Sequence, residues 1–295
     1  MHINMNELKQ HVGFLRKMYQ VVRIVEPTTK KVFVNEGDLS TYKDGFCYSF
    51  WENGSYCENC ISTRARIEND IVYKLEYAPD KVFMVTAIPI KTEDKVVVIE
   101  MMKDITDSMV IDTVDNRDKE VMKDYIMNIN NMIVRDELTG VFNRRFINER
   151  LPVDIVQSKI YKYPISIIIS DIDYFREINN TYGHLEGDKK LKEYANILSK
   201  YIGSGKNWVA RYGGDEFIVC LVDTGKEEGI KIANELRNKV YKEMLPMEDN
   251  KPISGSFGLY TLLPEDLKTA EELIEITDIY LYKAKEKGRN RIYAE

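Results

Sequence analysis

Two acidic side chains stand at the end of an apolar run in the second half of the chain. Asp171 is the last residue of the apolar run 163–171, and Asp173 follows it by two positions. The isoleucines of this run are too continuous for a half-exposed strand. A carboxylate at the end of a buried strand is costly unless something binds it, and a hard divalent cation is the usual partner. Asp173 also precedes a helical segment, so it could instead cap that helix.

A second acidic pair, Asp215 and Glu216, directly follows Gly213 and Gly214. The double glycine between two β-type runs predicts a hairpin turn, and small glycines let the backbone approach a phosphate closely. Two acids at one hairpin tip would repel each other unless a cation lay between them. The alternative is an ordinary hairpin turn with no ligand.

Basic residues are concentrated at the end of the last long helix predicted from the sequence: Lys283, Lys285, Lys287, Arg289 and Arg291. These side chains are candidate phosphate ligands, although a basic last turn closed by Gly288 also stabilises a helix on its own. Neighbouring central strands could bring the two acidic pairs together. The combination of acids and cations predicts a two-metal site for phosphoryl chemistry.

The elements that must position these groups alternate between helices and strands. After the apolar run, the pattern predicts a helix over 185–201, strands over 208–212 and 216–222, a helix over 226–243, a strand over 252–260, a helix over 270–287 and a short strand over 290–293. The first hundred residues instead hold five short β-type runs, at 19–26, 31–35, 71–77, 81–89 and 96–102, with a helical insert after the second. The sequence thus predicts a small α+β module, followed by an α/β domain.

Residues 106–135 join the two parts and contain neither Gly nor Pro. A long amphipathic helix is predicted because apolar residues recur there at helical spacing. Two heptad frames, each a set of residues on one face of the helix, can be drawn. One frame consists of Ile111, Val114, Val121, Tyr125 and Met132, and the other consists of Met122, Ile126, Ile129 and Ile133. Such a helix could form a parallel coiled coil between two protomers or pack on its own domain.

Composition limits the partners that this chain can have. Lys and Arg number 42 against 48 Asp and Glu, which gives a net charge of −6, and no basic block is present. Nucleic acid is not expected as a partner, because it needs clustered positive charge. The longest apolar stretches, 82–90 and 96–102, are far shorter than the ~20 residues of a membrane span, and the first twenty residues contain no signal-peptide core. We therefore expect a cytoplasmic protein with no membrane partner.

Three of the four cysteines, Cys47, Cys57 and Cys60, fall within fourteen residues, whereas Cys220 lies alone in an apolar run. Three thiolates could hold zinc or an iron–sulfur cluster. Cys57 and Cys60 have Cys-x-x-Cys spacing and could instead form a redox pair. A fourth ligand is not evident, so ordinary buried thiols are a third interpretation.

Five segments resemble, in order and spacing, the motifs of the GGDEF diguanylate cyclase family. They are residues 136–145 (DELTGVFNRR), 171–188 (DIDYFREINNTYGHLEGD), 211–217 (RYGGDEF), 256–258 (SFG) and 278–290 (DIYLYKAKEKGRN). The resemblance extends over about 160 residues, and five ordered motifs are far more specific than a single pentapeptide.

The resemblance implies a palm-like α/β fold, as in nucleotidyl cyclases and polymerases, for residues 136–295. It implies an enzyme that condenses two GTP into cyclic di-GMP and releases two pyrophosphates. Each domain would hold one GTP, so a homodimer would be needed for catalysis. Mg²⁺, with two ions for each GTP site, is the implied cofactor.

Residue by residue, the resemblance assigns the metal ions to Asp171, the carbonyl of Ile172 and Asp215. Asp215 would also accept the proton of the attacking hydroxyl, and Glu216 would support the metal cage. Arg176 stands where the family usually has Lys, as the group that stabilises transition-state charge. Arg keeps the charge but spreads it over a wider fork, so its effect on the rate is open.

The same resemblance assigns the substrate contacts. Asn179 and Asp188 would hydrogen-bond the guanine edge, since an acid can accept from two guanine N–H groups. Lys285 and Arg289 would hold the terminal phosphates. The remaining implied substrate-binding residues are Phe175, His184, Gly213 and Gly214.

Two other functions compete with an active cyclase. A catalytically weak domain could act as a GTP or cyclic di-GMP receptor, but such receptors typically lose an acid of the hairpin that this chain keeps. A cyclase that makes a mixed adenine–guanine dinucleotide would lack the guanine-reading acid, which is present here as Asp188.

The N-terminal segment resembles PAS sensor domains in its strand–insert–strand pattern and in the exit at 104–107 (DITD) into the long helix. Its cysteine segment recurs in some PAS-like domains of anaerobes. The resemblance implies a sensory domain with an antiparallel sheet over 1–107, a signalling helix or linker over 108–135 and the cyclase domain over 136–295. The sensory domain would regulate the cyclase domain.

Overall fold

The computed structural model describes residues 4–36, 45–51, 56–78, 81–106, 116–203, 205–244, 246 and 252–295. It divides into two compact units, Met1–Ile133 and Val134–Glu295, each with its own hydrophobic core. Ile111 and Val114, which belong to one of the predicted helical frames, lie outside the described residues. Within the described segments, no helix has the length and apolar character that crossing a membrane requires.

The N-terminal unit is built on a five-stranded antiparallel sheet, as predicted. The strands are β1 Val21–Val25, β2 Val32–Glu36, β3 Val72–Ala78, β4 Lys81–Lys91 and β5 Val96–Asp104. Their order in the sheet is β2-β1-β5-β4-β3, and each neighbouring pair is antiparallel. The β-type runs of the sequence therefore form this sheet.

Helices cover both faces of this sheet. Successive residues of a strand point to opposite faces, and the core residues of β5 accordingly divide between two clusters. On one face, α1 (Met5–Leu15) packs Leu8 and Val12 against β1. On the other lie the two short helices of the insert, a 3-10 helix at Cys47–Trp51 and α2 at Ile61–Glu68. The insert helices were predicted, whereas α1 was not.

The linker helix α3 spans Asn116–Val134, which confirms a helix over the described part of the linker. Ile126 is buried, and the other members of its predicted frame, Met122, Ile129 and Ile133, are half-buried. Asn130, on the same side, donates its amide to the Leu75 carbonyl of β3 at 3.0 Å. This frame of the helix therefore packs within the N-terminal unit.

The C-terminal unit is a five-stranded sheet with helices between its strands. Its elements are α4 Arg144–Tyr161, β6 Ile165–Ile172, α5 Phe175–Tyr182, α6 His184–Ile202, β7 Trp208–Gly213, β8 Glu216–Val222, α7 Lys226–Glu243, β9 Gly255–Leu262, α8 Ala270–Glu286 and β10 Ile292–Ala294. The strand order is β10-β9-β6-β8-β7, with β9 and β10 parallel and the other pairs antiparallel. All eight residues of β6 are buried, so the continuous apolar run does form a central strand.

Most predicted elements of this unit agree with the structure, but α4 was not predicted. Its buried residues lie on several sides of the helix and it contains Pro152, so its periodicity is weak. Asn143 caps it by accepting a hydrogen bond from the amide of Phe146 at 3.1 Å. That N-cap was the readable signal of a helix start.

The last long helix, α8, lies directly on the backbone of β9. A Cβ at Gly258 would lie far inside van der Waals contact with backbone atoms of Thr277 and Leu281. Only glycine leaves room for this approach. The close packing fixes the height of α8 over the sheet, and with it the position of Lys285 one turn further along.

Replacing Gly258 with Ala should therefore destabilise the C-terminal unit by about 2 kcal/mol or more, because the clash is with backbone atoms that cannot change rotamer. Urea denaturation measures the change. Gly225→Ala is the matched control, since a Cβ there has no neighbour within 4 Å and the backbone φ is −77°. Equal stability of the two variants would contradict the packing argument.

Candidate active site

The two acidic pairs meet at one end of the C-terminal sheet. Asp171, at the end of β6, is in register with Glu216 at the start of β8, and Asp215 lies in the turn that precedes β8. Asp171 is buried, and its Oδ2 accepts from the Nζ of Lys285 at 2.8 Å. Antiparallel pairing of β6 and β8 thus assembles three carboxylates and one cation.

This arrangement concentrates negative charge in a place with little water. Burial raises the pKa of Asp171, the hydrogen bond from Lys285 lowers it, and the charges of Asp215 and Glu216 raise it again, to about 7. Burial also raises the pKa of Glu216, with further contributions from Asp278 of α8 and from Asp215. The acids therefore favour any additional cation that can reach them.

The turn between β7 and β8 is the hairpin predicted from the double glycine. Gly213 pairs with Glu216, and Gly214 has φ +53°, a left-handed conformation that suits glycine. The guanidinium of Arg211 donates to the Gly214 carbonyl at 2.8 Å and to Asp136 at 3.1 Å. The turn is therefore held to the segment that precedes α4.

That segment, residues 136–145, has a structural role at this site. The carboxylate of Asp136 accepts from the backbone and hydroxyl of Thr139, at 2.9 and 2.7 Å. Burial acts to raise the pKa of Asp136, but these hydrogen bonds and Arg211 outweigh it and lower the pKa. Asp136 is thus an ionised anchor for the hairpin.

Asp173 does not cap the following helix, which corrects that alternative. The residue at the N-cap position of α5 is Tyr174, and no side chain caps it. The buried carboxylate of Asp173 instead accepts from the hydroxyls of Ser254 and Ser256, each at 2.6 Å, and from the amide of Asn290 at 3.0 Å. It ties the start of β9 and the segment after α8 to the end of β6.

The residues assigned to the guanine lie on α5 and α6, around a glycine whose role the sequence did not reveal. A Cβ at Gly187 would collide with the side-chain oxygen of Asn179 and lie 3.3 Å from the ring of Phe175. Asp188 follows Gly187 on α6 and is half-buried. Gly187 therefore lets Asn179 lie against α6 beside Asp188.

Other predicted substrate residues lie at the surface. Arg176 and His184 are exposed, and Arg176 makes no side-chain hydrogen bond or ion pair with the part of the chain that the structure describes. Arg289 stacks over the ring of Tyr174 at 4.4 Å. These cations are available to a ligand, whereas Lys285 already contacts Asp171.

A further residue that the sequence did not single out lies beneath the acids. Tyr194 of α6 is fully buried, and a Cβ at Gly255 would come within 2.8 Å of its hydroxyl. Its pKa is raised far above the ordinary value by burial and by the charges of Asp171, Asp173 and Asp215. Tyr194 thus stays protonated in the core, close enough to the acids for their charges to act on it.

The zinc or iron–sulfur interpretation of the N-terminal cysteines is not supported. Among the described residues, no three or more His, Cys, Asp or Glu side chains are arranged to hold a metal ion. The buried ammonium of Lys30 lies 3.3 Å from the Sγ of Cys60, where a metal cation would be repelled. Burial raises the pKa of Cys47 and Cys57, so these two remain protonated thiols and poor ligands.

The acids of the C-terminal unit fit Mg²⁺, although among the described residues they do not form a group of three or more metal-binding side chains. Mg²⁺ is usually held by only one or two carboxylates, and substrate phosphates and water complete its octahedron. Asp171 and Asp215 provide two such carboxylates, and the oxygen donors are of the kind that Mg²⁺ prefers. The ammonium of Lys285 on Asp171 indicates that this position attracts a cation.

We expect the metal-free protein to lose stability relative to Asp171→Asn as the pH rises from about 4 to 7. The folded-state pKa is near 7 and the ordinary carboxyl value is 3.8, so the contribution of this group is full below the lower value and is lost as the pH approaches the higher one. The loss is at most several kcal/mol, at about 1.4 kcal/mol for each pKa unit. Urea denaturation in EDTA at several pH values measures it.

The exposed Asp223, replaced with Asn, is the control and should follow the wild type at every pH. A constant difference between wild type and Asp171→Asn would contradict the raised pKa.

Comparisons with known proteins agree with this geometry. Residues 133–291 match the family described as "Diguanylate cyclase, GGDEF domain". The chain is 35% identical over 157 residues to the protein named diguanylate cyclase DosC of Escherichia coli K12, which is 53% of this chain and 34% of that protein. It is 38% identical over 132 residues to diguanylate cyclase A of Treponema denticola, 44% of this chain and 35% of that protein. The chain thus spans about a third of the length of these relatives.

Solved structures give the same result for the fold. The coiled coil and GGDEF domain of DgcB from Caulobacter crescentus, in complex with c-di-GMP, superposes with a TM-score of 0.55 at 24% identity, over 61% of this chain and 95% of that chain. The GGDEF domain of DgcB superposes with a TM-score of 0.51 at 27% identity, over 55% and 95%. The PAS-like interpretation of the N-terminal unit stays a prediction. More than half of the chain matches the family, and the chain therefore belongs to the GGDEF diguanylate cyclase domain family.

Proposed function

We propose that this chain is a diguanylate cyclase, which condenses two GTP into cyclic di-GMP with release of two pyrophosphates. The observation that carries the proposal is the acid cluster. Asp171 is buried in register with Glu216, Asp215 lies in the adjoining turn, and Lys285 contacts Asp171. A buried acid with two acidic neighbours favours a site for divalent cations, and the nearby cations favour phosphate.

We assign the metal site to Asp171, the carbonyl of Ile172 and Asp215. Two Mg²⁺ ions bound there would withdraw charge from the phosphates of GTP and lower the pKa of its 3′-hydroxyl. Asp215 is the proposed acceptor of the hydroxyl proton, because it is half-exposed whereas Asp171 is buried. Glu216, on the strand beside Asp171, adds negative charge that holds the cations in place.

Basic side chains near the acids are proposed to bind the phosphates of GTP and to stabilise the transition state. Lys285 reaches the acid cluster and Arg289 lies on the adjoining turn, so both could hold terminal phosphates. Arg176, exposed on α5, is the proposed stabiliser of the charge that develops during transfer. The glycines of the hairpin, Gly213 and Gly214, leave the backbone open to a phosphate, since no atom lies within 4 Å of a Cβ at either position.

Selection of guanine is assigned to Asn179 and Asp188. Gly187 brings the side chain of Asn179 beside Asp188, and a carboxylate can accept from both the N1–H and the 2-amino group of guanine. Adenine offers no such pair of donors, so it would leave the acid unpaired. Phe175 and His184, on the same two helices, are proposed to contact the base or ribose from the open side.

Condensation of two GTP requires two domains that face each other, so we propose a homodimer. Tyr125, Val121 and Met132 of α3 are 60%, 66% and 65% exposed and share one face of the helix. A second apolar face on a helix that already packs within its unit supports a coiled coil with a second α3. The two predicted frames would then serve two different contacts.

The proposed division of the chain follows from this. Residues 1–107 form a PAS-like sensory domain, residues 108–135 a signalling linker and residues 136–295 the cyclase domain. The antiparallel order β2-β1-β5-β4-β3 with helices on the sheet supports the PAS-like interpretation. The sensory domain would act on the cyclase through α3.

Asp215→Asn should reduce cyclic di-GMP formation by at least tenfold, because a neutral amide holds a divalent cation poorly. Purified protein is incubated with GTP and Mg²⁺, and the products are separated by chromatography. Asp223→Asn, an equal change at an exposed turn of the same unit, should keep full activity. A wild type that binds GTP or cyclic di-GMP but forms no product would favour the receptor alternative.

Asp188→Ser should weaken the preference for guanine and admit ATP, because the hydroxyl no longer accepts from two guanine donors. The measurement is kcat/KM for GTP against ATP, followed by separation of mixed dinucleotides. Unchanged selectivity would show that guanine is read elsewhere.

Tyr125→Glu should weaken the dimer and make specific activity rise more steeply with protein concentration, because two acids would face each other across the helix pair. Analytical ultracentrifugation and activity measured over a concentration series test this. The matched control is Met127→Glu, which puts the same acid on another face of α3. Identical behaviour of the two variants would contradict the assigned face.

A further inference from the structure

The N-terminal unit contains a cluster of thiols and buried charges that the proposed cyclase chemistry does not use. Cys47, Cys57 and Cys60 line one cavity of about 20 Å³ between the sheet and the insert. Also at this cavity are Arg23 and Glu100, an ion pair at 2.5 Å whose side chains are 2% and 3% exposed. Lys74 and Glu76 of β3 complete the charged groups that line it.

Cys60 differs chemically from the other two thiols. The ammonium of Lys30, which is 3% exposed, donates to its Sγ at 3.3 Å, and the hydroxyl of Thr63 lies at the same distance. Lys30 also donates to Thr63 at 2.7 Å, so the three groups form a closed triangle. Cys60 is the N-cap residue of α2, where the helix dipole also favours negative charge.

The ionisation of the cluster follows from this geometry. Burial acts to raise the pKa of Cys60, but Lys30 and the hydrogen bonds from Thr63 outweigh it, and the pKa lies below the ordinary value. Burial and the negative charge of Cys60 raise the pKa of Cys57 to about 12. The Cys60 sulfur is thus the more readily ionised of the two and its neighbour is a protonated thiol, which is the combination that a nucleophile and a resolving thiol require.

We propose that Cys57 and Cys60 form a hydroperoxide-responsive thiol pair, in which Cys60 is oxidised first and Cys57 resolves it to a disulfide that alters the contact of this segment with α3. The effect on cyclic di-GMP synthesis rests on the proposed function of the C-terminal unit. The oxidation and its effect on α3 do not.

The chemistry balances with hydrogen peroxide as the oxidant. The Cys60 thiolate attacks one peroxide oxygen, the O–O bond breaks, and hydroxide leaves and is protonated by solvent to water. The sulfenic acid that remains on Cys60 is attacked by the sulfur of Cys57, whose proton leaves with the sulfenic oxygen as a second water. Two electrons pass from the thiols to the peroxide. A small dithiol reverses the reaction by exchange.

The small cavity limits which oxidants reach Cys60, whereas Cys57 also lines a cavity of about 410 Å³. A volume of about 20 Å³ is little more than one water molecule needs. Hydrogen peroxide is close to that size, whereas a peptide disulfide such as oxidised glutathione is far larger. Cys60 should therefore react with peroxide much faster than with a bulky disulfide.

Oxidation would reach α3 through Asn59, one of the two residues between the cysteines. Asn59 is buried, and its amide donates to the side-chain oxygen of Asn130 on α3 at 3.2 Å. Its carbonyl accepts from Lys74 at 2.9 Å, and Asn130 in turn donates to the Leu75 carbonyl. A disulfide takes the Cys60 sulfur away from Lys30 as an ionisable partner and closes the 57–60 loop, so we expect Asn59 to move.

The first test is chemical and uses the full chain. Reduced protein is treated with a small excess of hydrogen peroxide, alkylated, digested and analysed by mass spectrometry. We expect a Cys57–Cys60 disulfide in the wild type and a dimedone-reactive Cys60 in Cys57→Ser. Cys220, which is fully buried, is the internal control and should remain a thiol. Oxidation of Cys60 no faster than of Cys220 would overturn the proposal, as would a faster reaction with oxidised glutathione.

The second test concerns Lys30. In Lys30→Gln, oxidation of Cys60 should be about tenfold slower at neutral pH and should rise more steeply with pH, because less thiolate is present. Lys31→Gln, at the exposed neighbouring position, should behave as the wild type. The wild-type pH profile alone is sufficient if Lys30→Gln does not fold, since a rate that climbs as for an ordinary thiol would overturn the assignment.

The third test separates this inference from the proposed function. Hydrogen–deuterium exchange over residues 120–133 should change on oxidation in the wild type and in Asn128→Ala, an exposed control on α3. In Asn130→Ala it should change much less, although the disulfide still forms. If exchange responds but no cyclic di-GMP is made in either redox state, the proposed function fails and the thiol pair stands. If the disulfide forms while exchange and turnover are both unaltered, the coupling to α3 is wrong.

Discussion

The packing of negative charge at the end of β6 is the constraint on which the C-terminal unit depends. Asp171 is buried, in register with Glu216 and near Asp215, so the folded chain must hold one carboxylate where water screens it poorly and two more beside it. The packing of α8 on the sheet helps to meet this requirement. Gly258 brings α8 low enough for Lys285 to reach Asp171.

Asp173 shows how the same strand end is kept rigid. Its carboxylate accepts three hydrogen bonds, from two serines at the start of β9 and from the backbone after α8. Each oxygen is therefore satisfied by the chain itself. Asp171, two residues earlier, has one partner in Lys285 and two acidic neighbours. Two aspartates in the same short motif thus have different roles. The hydrogen bonds of Asp173 are all made within the fold, whereas the surroundings of Asp171 favour binding of a cation.

The sequence alone predicted the strands and the hairpin, and it indicated that the acidic pairs could meet, because these features follow from local signals. A continuous apolar run predicts a buried strand, a double glycine predicts a turn, and adjacent strands must align their ends. The role of Asp173 could not be predicted, since its partners Ser254 and Asn290 are about 80 and 117 residues away. Gly187 was part of a quoted motif, but its purpose becomes apparent only when Asn179 lies against it.

The cysteines and α3 show a different limit of sequence reasoning. Spacing alone could not distinguish metal ligands from a redox pair, because the deciding group is Lys30, which lies 30 residues before Cys60 and is invisible to any Cys-based pattern. For α3, a coiled coil and packing on its own domain were the two alternatives, whereas the described helix has one packed apolar frame and one exposed frame. A periodicity identifies faces, and only the fold shows how many of them are already covered.

Both units place an acidic group in a poorly hydrated site and pair it with a lysine from a distant part of the chain. Lys285 balances Asp171 and Lys30 balances Cys60. A buried pair of this kind contributes little net stability, since desolvation offsets most of the attraction. Removing or replacing one member is costly, however, because the other charge is left unpaired. Such pairs therefore respond strongly to whatever changes the charge of one partner, whether a cation arriving at the acids or oxidation of a thiolate.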